Sequence, residues 1–151
     1  MTTVNETTRG RPLNTPEPTG EGPRIKVVLG KMRFDAHDVG ARYVMRKLVD
    51  AGMEVVFIRF GLVAEVVDAA LQEDAQVIGL SSLTGGHLSV GNDLAQALEE
   101  AGLGDRLLVV GGVISDDDVA ALRKAGFDGV FGPGTKIETI VDFIRSNVTT
   151  G

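Results

Sequence analysis

Apolar residues along this chain follow two alternating patterns. Short runs rich in β-branched residues, IKVVLG, EVVFIRF, QVIGLSS, RLLVVGG and DGVFG, recur from Ile25 onward. Between them the apolar positions take helical spacing. Ala41, Val44, Met45, Leu48 and Val49 form an i, i+3, i+4, i+7, i+8 stripe, and Ile137, Ile140, Val141 and Ile144 form another. Gly52, Gly102 and Gly126 each follow a helical segment as C-terminal caps. Ser115, with Asp118 three residues on, marks a helix N-terminus.

Five strands alternating with five helices predict an α/β chain whose parallel sheet is covered on both faces. Right-handed crossovers favour a doubly wound, flavodoxin-like (Rossmann-like) five-stranded sheet in the order 2-1-3-4-5, built as a single domain over residues 24–151. Residues 1–23, rich in Thr, Pro, Gly and Glu and without a hydrophobic core, read as a disordered leader.

Composition narrows the partners. A net charge of -6 argues against a nucleic acid, which would want a basic patch. No apolar run approaches the roughly 20 residues of a membrane helix, so no membrane partner is expected. With no cysteine there is no thiolate site, and a cytoplasmic setting fits.

In such sheets ligands gather outside the carboxyl ends of the strands, so the segments that follow each strand carry the functional question. After the first comes Lys31–Gly40, after the third SSLTGGHL from Ser81, after the fourth GGVIS from Gly111, and after the fifth GPGT from Gly132. The segment after the second, GLVAE, is plain. A phosphate-binding glycine loop is missing after the first strand. A receiver domain would carry an aspartate where Ser81 and Ser82 stand.

What the first of these segments offers is a histidine, His37, two residues after Asp35. A neutral imidazole is a good metal ligand, and a carboxylate on its second nitrogen fixes the tautomer and strengthens donation. In an extended segment residues i and i+2 point the same way, so Asp35 can reach His37. No second nearby histidine or cysteine completes a protein-built zinc site. A single protein ligand makes sense where the metal arrives already held by a macrocycle. Taken alone, His37 also reads as a solvated loop histidine.

The pattern Asp35-x-His37-x-x-Gly40, then Ser81-x-Leu83, then Gly111-Gly112 resembles the D-x-H-x-x-G … S-x-L … G-G signature of the cobalamin-binding domain family. Between the segments lie 40 residues from Gly40 to Ser81 and 27 from Leu83 to Gly111. Lys31-Met32, SSLTGGHLS, VVGGVI and PGT are similar to the acyl-CoA mutase branch, typified by methylmalonyl-CoA mutase. The resemblance spans roughly Ile25 to Asn147.

That resemblance implies a role for each position. His37 is the lower axial ligand of the cobalamin cobalt, Asp35 hydrogen-bonds it, and Lys31 pairs with Asp35; Lys31 also reads as a plain surface charge. Asp38, Val39 and Gly40 complete the loop, and the displaced nucleotide tail enters a slot between the sheet and the first helix. Gly40, Ser81, Leu83, Gly111 and Gly112 line this slot, with Gly134 and Thr135 nearby. Gly85 belongs to the same contact set, or simply to a turn, and His87 packs near the cofactor rim. Ser81 can offer its hydroxyl to the tail's ring nitrogen. The chain departs from the family at Ala36, usually glycine, and at Val39, commonly arginine in acyl-CoA mutases.

The resemblance further implies a small subunit that holds adenosylcobalamin base-off and histidine-on for a separate, larger barrel subunit that binds the acyl-CoA. The enzyme would be an isomerase performing a radical 1,2-rearrangement of a branched substrate such as isobutyryl-CoA or 2-hydroxyisobutyryl-CoA. No catalytic residue for the substrate chemistry is expected in this chain. A glutamate mutase-type small subunit and a non-enzymatic cobalamin carrier or sensor are the alternatives.

Overall fold

The computed structural model describes residues 24–33, 39–82 and 87–148; for Val39, Ser82 and His87 only the backbone is considered. The expected leader lies outside them. Strand β1 (Lys26–Met32) is followed by α1 (Val39–Asp50), β2 (Glu54–Phe60), α2 (Val63–Glu73), β3 (Val77–Ser82), α3 (His87–Glu100), β4 (Leu107–Gly112), α4 (Asp116–Ala125), β5 (Gly129–Phe131) and α5 (Ile137–Asn147). All neighbouring strands pair in parallel. The sheet order is β2-β1-β3-β4-β5, the flavodoxin-like order expected from the pattern.

Two apolar clusters hold the helices to the sheet. On one face Val28, Ile78, Leu80, Leu108 and Val110 pack with Val66 and Ala70 of α2, Leu94 and Leu98 of α3 and Leu122 of α4. On the other, Val27, Val77, Leu107 and Val109 pack with Leu48 of α1 and with Val141 and Ile144 of α5. Each fully buried aliphatic side chain contributes about 1.5–3 kcal/mol of burial free energy. The predicted helical stripes are the faces that make these contacts. Gly52, Gly102 and Gly126 end their helices with φ of 93°, 80° and 125°. Ser115 accepts a hydrogen bond from the Asp118 amide at 3.3 Å, as its spacing predicts. Among the described residues no helix is long and apolar enough to cross a membrane.

Strand β1 runs two residues past its apolar run, while β3 and β4 end on the Ser-Ser and Gly-Gly pairs that close theirs. Lys31 and Met32 belong to β1, Ser81 and Ser82 to β3, and Gly111 and Gly112 to β4, not to the loops after them. The reason is pairing: Lys31 lies opposite Arg59 and Ser81, and Ser81 opposite Gly111, so the ladder stays closed to the motif residues. Strand β5, only three residues long, is anchored at its entry by Asp128. Its carboxylate accepts from the Leu108 amide at 2.9 Å, and its own amide donates to the Leu108 carbonyl at 2.7 Å.

The segment after β2, plain in sequence, holds a compensating device. Leu62 occupies the N-cap of α2 with extended backbone, a position where Ser, Thr, Asp or Asn would satisfy a free amide. Glu65, at the third helical position, reaches back to satisfy the two amides before the helix, accepting from Gly61 at 2.7 Å and Leu62 at 3.4 Å. It also pairs with Arg33 at 3.5 Å. The Gly61 amide above all, then the Leu62 amide and Arg33, hold the Glu65 carboxyl below the usual carboxylate range. Because the folded-state pKa is depressed, this stabilisation is present above the ordinary carboxylate range and is lost as pH falls through the lowered value. Denaturant unfolding of Glu65→Gln against wild type is expected to show wild type more stable at neutral pH, with the gap closing in acid. A gap independent of pH would remove the charge from this account.

Candidate functional site

Residues opposite one another in a parallel ladder share a face. On the α1/α5 face the rows shrink toward the carboxyl edge. Val27, Val77 and Leu107 are followed by Leu29, Gly79 and Val109, and these by Lys31, Ser81 and Gly111. At the middle row there is no room: a Cβ on Gly79 would stand 3.2 Å from Leu29 Cδ1 and 3.5 Å from Val109 Cγ2. At the last row there is. A Cβ on Gly111 would meet only the Phe131 carbonyl oxygen, at 3.7 Å. The sheet therefore opens a recess on this face at its carboxyl edge, floored by Ser81 and Gly111.

The glycine pair that borders this recess serves two needs. Gly111 keeps the space empty. Gly112, with φ of 152°, turns the chain out of β4 through backbone that other residues adopt poorly. On the far side Phe131 stands beside Gly111 in register and packs edge-on against Phe143, ring centroids 5.5 Å apart. The motif comparison had not singled out Phe131; its place on the α1/α5 face is set by the β4–β5 register.

Beyond β5 the GPGT turn is locked by its own threonine. Thr135 donates from its hydroxyl to the Gly132 carbonyl at 2.7 Å and from its amide to the same oxygen at 3.3 Å. Gly134, with φ of 85°, lets the chain make the turn. The hydroxyl proton of Thr135 is thus committed to the turn, and what the turn presents outward is backbone and the second lone pairs of its oxygens.

Lys31 is fully buried, at 0% exposure, and among the described residues it is the one buried charged side chain. The plain surface charge considered from sequence is therefore wrong. An ammonium out of water demands compensating charge or acceptors, and this one sits at the strand end from which the His37 segment departs. Gly40, in the first turn of α1, is exposed, with nothing within 4 Å of where a Cβ would stand.

Of the positions singled out in sequence, the structure brings Lys31, Ser81, Gly111 and Gly112 to one edge, in adjoining register rows of the ladder. Val39 and His87 begin α1 and α3. Asp35, His37, Asp38, Leu83 and Gly85 lie outside the described residues. As a fit to a corrinoid, the recess meets two needs of a flat heteroaromatic tail: a glycine position with space left unfilled and a serine beside it in register.

Comparison with known proteins agrees with this architecture. The family model described as B12 binding domain matches residues 25–142. The 2-hydroxyisobutanoyl-CoA mutase small subunit of Aquincola tertiaricarbonis is 42% identical over 125 residues, covering 82% of this chain and 92% of that one. The pivalyl-CoA mutase small subunit of Xanthobacter autotrophicus is 42% identical over 123 residues, covering 81% and 82%. Among solved structures, a cobalamin-binding protein from Desulfitobacterium hafniense superposes with a TM-score of 0.68 at 25% identity, over 83% of this chain and 60% of that chain.

Proposed function

This chain belongs to the B12-binding domain family, and from that membership we infer that it is the small, cofactor-holding subunit of an adenosylcobalamin-dependent acyl-CoA mutase. The observation that carries the reading is the Lys31–Ser81–Gly111 row, which leaves space unfilled at the edge that bears Ser81 and the Gly111-Gly112 pair. The bound cofactor would supply a 5′-deoxyadenosyl radical by homolysis of its cobalt–carbon bond. The chain's share is to hold and orient it.

In this reading His37 would ligate the cobalt, and the recess would hold the cofactor's own base. Asp35 would accept a hydrogen bond from the N–H of the second imidazole nitrogen. Lys31, buried at the root of the segment, would hold that carboxylate in place by its opposite charge, and so orient the imidazole. Ser81 donates to the ring nitrogen of the displaced base, which would otherwise be buried unsatisfied. Gly40, Leu83, Gly111 and Gly112 shape the recess, with Gly134 and the Thr135 backbone at its mouth, and Asp38, Val39 and Gly85 border it.

The substrate would be handled by a larger barrel subunit that binds acyl-CoA, in the cytoplasm. Relatives named for 2-hydroxyisobutanoyl-CoA and pivalyl-CoA favour a branched acyl thioester over an amino acid. Reconstitution tests this directly. The chain, adenosylcobalamin and the separately purified large mutase subunit of the same organism are expected to isomerise a branched acyl-CoA, with no turnover when the chain is left out. Equal turnover without it would refute the assignment.

A second expectation concerns the floor of the recess. Gly111→Leu starts from a Cβ in ordinary contact with the Phe131 carbonyl oxygen, at 3.7 Å, and carries its side chain into the space the tail would occupy. Cobalamin affinity should fall at least tenfold, the equivalent of about 1.4 kcal/mol, with the thermal unfolding midpoint close to that of wild type. Unchanged affinity would place the tail elsewhere.

A further inference from the structure

The charge of the chain is not evenly spread. Residues 24–60, covering β1, α1 and β2, carry eight Lys or Arg against four Asp or Glu, whereas residues 61–151 carry five against fourteen. A chain of net charge -6 thus has a flank of net +4 beside a stretch, residues 61–151, of net -9.

The outward face of α1 concentrates this flank. Arg42, Arg46 and Lys47 come before the helix's only acidic residue, Asp50, and its first turn has none. Tyr43, a large aromatic side chain, is left 54% exposed in their midst, with the Lys47 ammonium 5.6 Å from its ring centroid. Arg42 lies over the Phe57 ring at 5.8 Å. Phe57 precedes Arg59 by two residues on the same face of β2, and Arg59 is in register with Lys31. The patch is thus continuous with the edge that bears the recess.

We propose that the Arg42–Tyr43–Arg46 face of α1 docks against an acidic surface of the large mutase subunit. This rests on the small-subunit reading above and names the contact by which the two chains orient. Tyrosine and arginine are the residues enriched at energetic centres of protein interfaces. An extended polyanion fits less well, because it would also run along the strongly acidic remainder of the chain. A folded partner with a local acidic patch meets α1 alone. Charges placed at such a contact act mainly by steering encounter and fixing register.

The test compares wild type with Arg42→Glu/Arg46→Glu, and separately with Tyr43→Ala, as full chains with adenosylcobalamin present. Binding to the purified large subunit of the same organism is measured by biolayer interferometry across a salt series, and self-association by sedimentation velocity. Charge reversal is expected to weaken association at low salt by about tenfold or more, chiefly through the on-rate, and to flatten the salt dependence. The cobalamin spectrum of the chain alone should not change, which separates loss of docking from loss of the cofactor site. Variants that bind with wild-type affinity and salt slope would overturn the proposal, as would loss of self-association with binding to the large subunit intact. Failure of wild type itself to bind the large subunit would instead overturn the small-subunit reading, and the proposal with it.

Discussion

Replacing His37 with alanine is expected to weaken cobalamin binding by more than about 100-fold, since loss of an outer-shell partner alone typically costs 10- to 100-fold and this substitution would remove the ligand itself. The chain should stay folded. Its apolar clusters are built from the sheet and helix positions on both faces, and His37 is not among the apolar residues that form the strand and helix patterns. Equilibrium dialysis against adenosylcobalamin gives the affinity, and thermal unfolding gives the check on the fold. Wild-type affinity in a folded His37→Ala chain would mean that cobalt is held by some other group.

The second large effect is expected at Lys31. Burial of this ammonium at the end of β1 is costly unless a negative group compensates it, and Asp35 is the first carboxylate that follows it in the chain. Lys31→Met retains much of the volume and removes the charge. The chain should remain folded, because an apolar side chain of similar size is tolerated where a buried charge stood. Cobalamin affinity should fall about 10- to 100-fold. A positioning role makes a further demand. With the lysine gone, the Asp35 carboxylate loses the charge that orients it, so the histidine-on spectrum of bound cobalamin should weaken even at saturating cofactor. Ultraviolet–visible spectra of the loaded variant read this change, and a purely structural lysine would not cause it.

How much of this was legible in the sequence depends on what each feature rests on. The sheet order followed from alternating β-branched runs and helical stripes, because each period leaves its own trace in the chain and right-handed crossovers leave few topologies. The D-x-H, S-x-L and G-G segments were legible as motifs because they are local. That Lys31, Ser81 and Gly111 share one row was not. Whether Ser81 faces Lys31 and Gly111 depends on strand register, and register is a property of pairs. For the same reason β1 was cut two residues short, since Lys31 and Met32 looked like loop and are paired.

Lys31 illustrates a different limit. A lysine at a strand end reads equally well as a solvated charge or a buried one, because sequence does not say what covers it. Phe131 and Glu65 went unnoticed for related reasons. Phe131 matters through its neighbour in β4, and Glu65 through two amides and a guanidinium brought to it by the turn after β2. By contrast, the caps at Gly52, Gly102 and Gly126 were readable, because a helix end that needs positive φ selects its residue locally.

The central claim is that this chain carries cobalamin with His37 in place of the cofactor's own base. An ultraviolet–visible titration of the purified full chain with adenosylcobalamin, alone and with the large subunit, tests it most directly. The account predicts a base-off, histidine-on spectrum in wild type that His37→Ala abolishes. A cofactor spectrum that stays base-on and unchanged through saturating chain, in both mixtures, would contradict it.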